Sequence, residues 1–287
     1  MNYRHAFHAG NFADVVKHVL LVALVERLAE KPKPMAVIDT HAGIGVYDLT
    51  GEAPRRTGEW RDGIGRLWRA APSHPGAVAR YLELVRALNA PDAAEPGTYP
   101  GSPELVRLLL RASDRLVLNE LHPEDCASLR RAMGGDRRVH VHCRDGYELA
   151  AALVPPSERR GLVLIDPPFE QRDEYARLVE ALAEAHRRFA TGTYMIWYPL
   201  KDPAVSGEFL ERLAADGPPK TLALELQVTA TDPMRMTGSG MILVNPPFVL
   251  TETGTDGKSA ALSLLDWLAA ALAQGPGARA REEWLTA

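Results

Sequence analysis

The chain has 287 residues, 46% of them hydrophobic and 24% charged, which suits a globular protein with a sizeable core, built as one large domain or a domain with an insertion. Its formal net charge of -4 means that a nucleic-acid partner has to be held by local basic patches and not by overall charge. Its two cysteines, Cys126 and Cys143, form neither a C-x-x-C pair nor a zinc pattern, which excludes a disulfide scaffold as the organising principle.

The opening MNYRHAFHAGNFADVVKH gathers Tyr3, Arg4, His5, His8, Lys17 and His18. The spacing matches no common ligand set and no cysteine joins it, so no metal is expected. Aromatic Tyr3 and basic Arg4, Lys17 and His18 suit stacking and phosphate contact. Asn11 caps a helix running to about residue 30, with Val15, Val16, Val19, Leu20, Ala23 and Leu24 at helical spacing. Its apolar run VLLVALV is about two turns, far short of the roughly 20 residues that span a bilayer. Neither a basic segment before it nor a small-residue cleavage site after it marks a signal peptide, so a cytoplasmic protein is expected.

KPKP breaks the chain, and PMAVID follows as a buried strand ending in the turn Thr40-His41-Ala42-Gly43-Ile44-Gly45. Residues 51–114 have a different texture: GEAPRRTGEW, a helix around 75–89, the loop APDAAEPGTYPGSP and a helix from Pro103, with no convincing strand. They are expected to form a helical subdomain inserted after the first strand, leaving 1–50 and 115–287 as the main domain. Strands 115–120, 138–143, 161–166 and 193–199 then alternate with helices, as a mostly parallel sheet covered on both faces requires. TLALELQV (221–228) and GMILVNP (240–246) suggest an antiparallel hairpin, and a last helix spans about 259–273. Arginine pairs at 55–56, 130–131, 137–138, 159–160 and 187–188 read mostly as solvated helix faces.

Ligands of open α/β sheets bind beyond the carboxyl ends of the strands. Those ends carry Asp39, His41, Gly43 and Gly45, then Glu120, Asp145-Gly146 and Asp166. Glycines let a ligand approach the backbone, and an acid ending the second strand can accept both hydroxyls of a ribose. An acid ending the third can accept from an adenine amine, so an adenosine-bearing cofactor is implied. The glycine spacing fits neither G-x-G-x-x-G nor a Walker A loop. It resembles the D/E-x-G-x-G-x-G loop of S-adenosylmethionine-dependent methyltransferases, with His41 in the first glycine slot.

Asp166-Pro167-Pro168-Phe169 resembles the [DNS]-P-P-[YFW] motif of methyltransferases acting on exocyclic amines. The lone pair of such an amine is delocalised into the ring. A carboxylate and the following proline carbonyl can accept its two N–H bonds and hold the nitrogen in line with a methyl donor, while the aromatic residue offers a stacking face. Asn245-Pro-Pro-Phe248 fits the same letters. It follows a strand expected to be an antiparallel edge strand whose end points away from the cofactor, so a proline-terminated strand end is the simpler reading.

YRHAFHAGNFADVVKH, DTHAGIGVYDL, RTGEW, YPGSP, NELHP, DG, RRGLVLIDPPFE, RFATGTYMIWYP and SGMILVNPPF together resemble the RlmJ-type bacterial 23S ribosomal RNA adenine-N6 methyltransferases, from residue 2 to about 250. The resemblance implies a Rossmann-like class I methyltransferase sheet, mostly parallel with one antiparallel strand, and S-adenosylmethionine as cofactor. It implies methyl transfer to N6 of adenine 2030 in 23S rRNA that is protein-free or early in assembly. His18, His41, Gly43, Ser102, Glu120, Asp145, Gly146 and Asp166 would touch the cofactor, and Ser102 also reads as a helix cap before Pro103. Asp166, Pro167 and Phe169 would form the catalytic turn, and Tyr3, Arg4 and Lys17 would meet RNA, residues 1–30 covering the pocket. Phe169 stands where the family commonly has tyrosine, which keeps the stacking face. A monomer acting without metal or membrane is the default expectation. Two other readings stay open: an adenine-N6 methyltransferase of DNA (or a protein-glutamine enzyme) using the same turn, and a nucleic-acid-binding protein linked to DNA uptake with a residual pocket. The intact Glu120, Asp145 and Asp166 argue against the latter.

Overall fold

A computed structural model of the chain describes residues 4–70, 74–171, 173–232 and 234–287. A 3-10 turn, His5–Phe7, precedes α1 (Phe12–Ala29), whose N-terminus is capped by the Asn11 side chain accepting from the Asp14 N–H at 3.0 Å. Strand β1 (Ala36–Asp39) leads to β2 (Val46–Asp48). Short helices α2 (Glu52–Thr57) and α3 (Ile64–Arg69) follow, with a 3-10 turn Glu59–Asp62 between them, then α4 (Gly76–Arg86), β3 (Thr98–Pro100) and α5 (Ser102–Leu109). Next come β4 (Arg115–Asn119), α6 (Pro123–Met133), β5 (Val139–His142), α7 (Gly146–Ala152), β6 (Gly161–Ile165), α8 (Glu174–Arg188), β7 (Thr193–Leu200) and α9 (Pro203–Asp216). The chain closes with β8 (Thr221–Gln227), β9 (Gly238–Val244), α10 (Phe248–Thr251), α11 (Ala260–Leu272) and β10 (Arg279–Thr286).

The main sheet has the order β10-β8-β9-β7-β6-β1-β4-β5. The five strands from β7 to β5 run parallel, giving the Rossmann-like α/β architecture that the apolar runs predict. After β1 the chain moves to β4 and β5 on one side, then returns to β6 on the other. This reversal of direction beside β1 opens a crevice over the strand ends. One core, on the face covered by α1, α5, α6 and α11, includes Val16, Leu20, Leu105, Leu129 and Leu265. The other lies under α7, α8 and α9 and includes Ile38, Val163, Leu182 and Phe209. Helix α1 is buried nearly all round, from Phe12 to Val25, because α4, α5 and α11 pack on it as well as the sheet. Among the described residues no helix is long and apolar enough to cross a membrane.

Three expectations are corrected, and one is sharpened. Residues 51–114 are not all helical, because β3 pairs antiparallel with β2, Tyr47 opposite Tyr99, in a small second sheet. A strand beyond the last helix, β10, adds to β8 and runs against the parallel set, so β9 is not the lone reversed strand. β9 is not an edge strand, since it lies between β8 and β7. Cys126 and Cys143 are joined, tying α6 to the end of β5; this single link is local and organises no scaffold.

The direction of β9 bears on the two prolyl turns. Val244, its last residue, pairs with Tyr194 near the start of β7, so Asn245 lies at the amino ends of the parallel strands, opposite the crevice. There the Asn245 amide donates to the Ala190 and Gly192 carbonyls at 2.9 and 2.8 Å, with its own backbone at φ +52°. Asparagine tolerates this left-handed conformation better than most residues. Asn245→Ala is expected to lower the unfolding free energy by about 1–3 kcal/mol, because two carbonyls lose their donor. Urea denaturation measures this, and an unchanged midpoint would remove the structural role.

Candidate active site

The carboxyl ends of β1, β4 and β6 open into a cavity of about 740 Å3, roofed by the N-terminal segment. That segment is tied down by the RTGEW stretch. Glu59 accepts from the Asn11 amide at 3.1 Å and pairs with His8 at 3.0 Å, while the Thr57 hydroxyl donates to the Phe7 carbonyl at 2.5 Å.

At the end of β1, Asp39 is buried. It accepts the Ser102 hydroxyl at 2.6 Å and the His41 N–H at 3.2 Å. Burial pushes its carboxyl up to about 7 and the Asp166 charge adds to this, against the Ser102 hydrogen bond. His41 Nδ1 meets the Thr40 hydroxyl at 2.8 Å, and its ring stands edge-on to Tyr147 at 5.3 Å. Burial lowers it to about 4, so the imidazole is neutral at pH 7. Gly43 has φ +61°, and an added Cβ would lie 2.2 Å from the Tyr47 hydroxyl. Its N–H donates to Glu120 at 2.9 Å; the other Glu120 oxygen takes the His122 N–H at 2.8 Å, fixing this buried carboxylate at the end of β4.

Asp145 caps α7, accepting the Tyr147 N–H at 2.9 Å, and pairs with Arg177 at 2.7 Å. Burial alone would raise this carboxyl, but Arg177 and the helix N–H groups outweigh it and lower it. Arg177 also lies over the Tyr147 ring, 4.5 Å from its centroid. A Cβ on Gly146 would sit 2.6 Å from the Thr40 carbonyl oxygen, so only glycine lets α7 start this close to the first turn.

Beyond β6, Asp166 accepts from the Lys17 ammonium at 2.5 Å, and Lys17 also reaches Asp14 at 2.8 Å. Asp14 in turn holds His5 and the Gly10 N–H, both at 2.9 Å. Burial opposes the charge on Lys17, yet the two carboxylates raise its pKa well above the ordinary value. Among the described residues no hydrogen bond reaches the Pro167 carbonyl. Phe169 takes φ +52° and packs on Tyr175 and Trp197 at 4.5 and 5.8 Å.

His18 Nδ1 is hydrogen-bonded with the Tyr99 hydroxyl at 2.8 Å, itself 2.9 Å from that of Tyr81. Burial lowers the ring to about 3, so it is neutral. Its Nε2 is buried and makes no hydrogen bond among the described residues, the nearest carboxylate being Asp14 at 4.0 Å. A buried nitrogen without a hydrogen bond on the wall of a cavity is a place for a ligand's polar group.

The cavity wall thus brings together Lys17, His18, His41, Gly43, Ser102, Glu120, Asp145, Gly146, Asp166, Pro167 and Phe169. Two expectations change. Ser102 does not cap α5; Gly101 occupies the cap position, and the Ser102 hydroxyl is committed to Asp39. Lys17 is 5% exposed and held by two carboxylates, which leaves no charge for an RNA phosphate. Arg4 lies outside the wall, paired with Glu124 and Asp125 at 2.6 Å each. Tyr3 falls outside the described residues. Asp14, Arg177 and Trp197 line the cavity without having been singled out from the sequence. Only Asp14 carried a local signal, three residues before Lys17 on one helix face.

The family model described as "Ribosomal RNA large subunit methyltransferase D, RlmJ" matches residues 32–286. A protein of Escherichia coli named ribosomal RNA large subunit methyltransferase J is 41% identical over 286 residues, 99% of either chain. One of the same name from Haemophilus influenzae is 44% identical over 251 residues, 87% of this chain and 89% of that one. A Legionella pneumophila protein of known crystal structure superposes with a TM-score of 0.86 at 33% identity, covering 96% of this chain and 98% of its own.

The raised Asp39 carboxyl sets a pH dependence. Between an unfolded value of 3.8 and a folded value of about 7 the folded state holds the extra proton, so stability falls as pH rises through that window. Asp39→Asn, which mimics the protonated acid, is expected to flatten this slope. Urea unfolding at about pH 4.5 and pH 7.5 measures it. An equal slope in the variant would show that Asp39 is not the titrating group.

Proposed function

This chain belongs to the RlmJ family of ribosomal RNA large subunit methyltransferases, and from that membership we propose that it methylates the exocyclic N6 of a single adenine, adenine 2030, in 23S rRNA. Its cofactor is S-adenosylmethionine, which when bound supplies an electrophilic methyl group on a sulfonium sulfur. The observation that carries the reading is the pair of acceptors at the end of β6: a carboxylate fixed by a buried ammonium, beside a proline carbonyl with no other hydrogen bond.

The residues present fit the cofactor. Glu120 is aimed from β4 to accept ribose hydroxyls, and Gly43 and Gly146 keep the backbone low beneath it. Asp145-Gly146 stands on the adenine side, and the Nε2 of His18, which makes no hydrogen bond among the described residues, and the neutral ring of His41 give polar contacts that do not repel a sulfonium. Residues 51–114 act as an inserted subdomain that brings Ser102 to this pocket, and the segment before α1 closes it.

Asp166 and the Pro167 carbonyl accept the two N–H bonds of the target amine, turning its lone pair toward the methyl group. The bound cofactor would supply the methyl group and keep the sulfur's electron pair, and the proton shed by the amine would pass to water while Asp166 and the Pro167 carbonyl hold the nitrogen. Lys17 holds the Asp166 carboxylate in one orientation and does not touch the base. Phe169, backed by Tyr175 and Trp197, offers the surface on which the flipped base stacks.

The test is methyl transfer from labelled cofactor to protein-free 23S rRNA, with assembled subunits and DNA as the negative substrates. Equal labelling of DNA would defeat the RNA assignment. Asp166→Ala is expected to lower the rate by about 10^3-fold or more in a protein that is less stable but still folded, since Lys17 keeps Asp14, and Asn245→Ala to stay within a few-fold. Comparable losses in both would mean that the wrong prolyl turn has been assigned.

A further inference from the structure

Beside the catalytic cavity lies a second one of about 210 Å3, between the ends of β7, β8 and β10 and the first turns of α9. Lys201 lines both. The strand directions bring this about. β8 runs with β7, so the β8–β9 loop returns at the crevice side, where the Thr237 N–H donates to the Leu200 carbonyl at 3.0 Å. β10 runs antiparallel to β8 and places Arg279 opposite Gln227 at that same end.

The charges along this rim stand beside the mouth of the catalytic cavity. Arginines elsewhere are mostly neutralised at short range, as in Arg107–Glu104 and Arg111–Asp114. Lys201 and Arg279 are exposed, and among the described residues no carboxylate lies in ion-pairing range of either. Arg235 joins them from the β8–β9 loop on the catalytic-cavity side, only loosely paired with Asp232 at 3.3 Å. The acid of the second cavity, Glu225, is engaged by the Tyr198 hydroxyl at 2.8 Å and by Arg281 at 3.8 Å. Gly207, on α9, leaves open space where a side chain would stand. Next to Arg235, Met234 is 85% exposed, an apolar surface of the kind bases rest on. The result is a cationic groove that begins at the mouth of the catalytic cavity and continues past it.

We propose that the rim from Arg235 through Lys201 to Arg279 is the track on which the RNA strand leaves the catalytic cavity, its phosphates seated on Lys201 and Arg279. This rests on the reading of the cavity as an RNA adenine site. A strand whose base has been drawn into the cavity must continue on one side of it, and this is an adjoining groove whose two exposed cations, Lys201 and Arg279, have no carboxylate in ion-pairing range among the described residues. A protein of net charge -4 needs such a local patch to hold a polyanion.

The salt dependence of binding to protein-free 23S rRNA tests the track. Each phosphate contact contributes about 0.7–0.9 to the slope of log affinity against log salt concentration. The double variant Lys201→Ala/Arg279→Ala is expected to lower that slope by about 1.4–1.8 and to weaken binding at least about tenfold near physiological salt, with cofactor affinity and Tm unchanged. Arg187→Ala, at the opposite end of the sheet and paired with Glu184, serves as the control and is expected to keep the wild-type slope. A wild-type slope in the double variant overturns the track, and so does an equal fall in the Arg187 control, which would mark a general charge effect. Methyl transfer by the wild-type protein is followed in parallel. Labelled 23S rRNA with an unaltered slope in the double variant removes the track and leaves the reaction standing, whereas an absence of labelling removes the reaction itself.

Discussion

A buried ammonium, that of Lys17, holds carboxylates from two distant parts of the chain, Asp14 of α1 and Asp166 at the end of β6. Taking such charges out of water costs several kcal/mol per ion, and only close pairing with further hydrogen bonds offsets it. Asp14 supplies these by also binding His5 and the Gly10 N–H. The network therefore sets more than one carboxylate. It fixes α1 against the strand end, and through Asp14 it draws the segment before α1 over the cavity. Removing one member of a buried pair typically costs about 3–5 kcal/mol, a large share of the roughly 5–15 kcal/mol that keeps a protein folded. The geometry of the acceptor at Asp166 and the closure of the roof are thus one arrangement.

Around this charged floor burial pushes three wall groups toward neutrality, while Arg177 holds the Asp145 carboxyl below its ordinary range. His18 falls to about 3, His41 to about 4, and Asp39 rises to about 7. The cavity's fixed ion pairs, Lys17–Asp166 and Arg177–Asp145, stand out against these more neutral groups. A cationic cofactor meets no like charge from either imidazole. Exposed positive charge stands at the rim, where Lys201 lines both cavities and Arg279 only the second.

Much of this was legible in the chain because it was written locally. Fully buried parallel strands appear as continuous apolar runs, so β1, β4, β6 and β7 stand out, and the acids that follow them fall at the crevice by the geometry of the fold. Strand β10 was hidden because ARAREEWLT is an edge strand, carrying charge where central strands carry leucine. β3 was hidden because three residues, Thr98 to Pro100, make too short a pattern in a loop rich in glycine and proline. Arg177 gave no signal, since its partner Asp145 lies on another helix cap 32 positions away. Ser102 gave a misleading one: α5 starts one residue earlier than a cap at Ser102 requires, so Gly101 takes the cap position and the Ser102 hydroxyl donates to Asp39.

The sequence by itself determined the order of the elements, the row of acids at the strand ends and the rigid prolyl turn after Asp166, since each depends on residues close together in the chain. The tertiary structure alone decided which of two nearly identical turns faces the crevice. It did so through the direction of β9, which pairs antiparallel with β7 and carries Asn245 to the far end of the sheet. The tertiary structure also joined Lys17 to Asp166 across 149 positions and placed Arg279 beside Lys201. Pairings of that range follow from which surfaces bury each other in the folded chain, and no local periodicity records them.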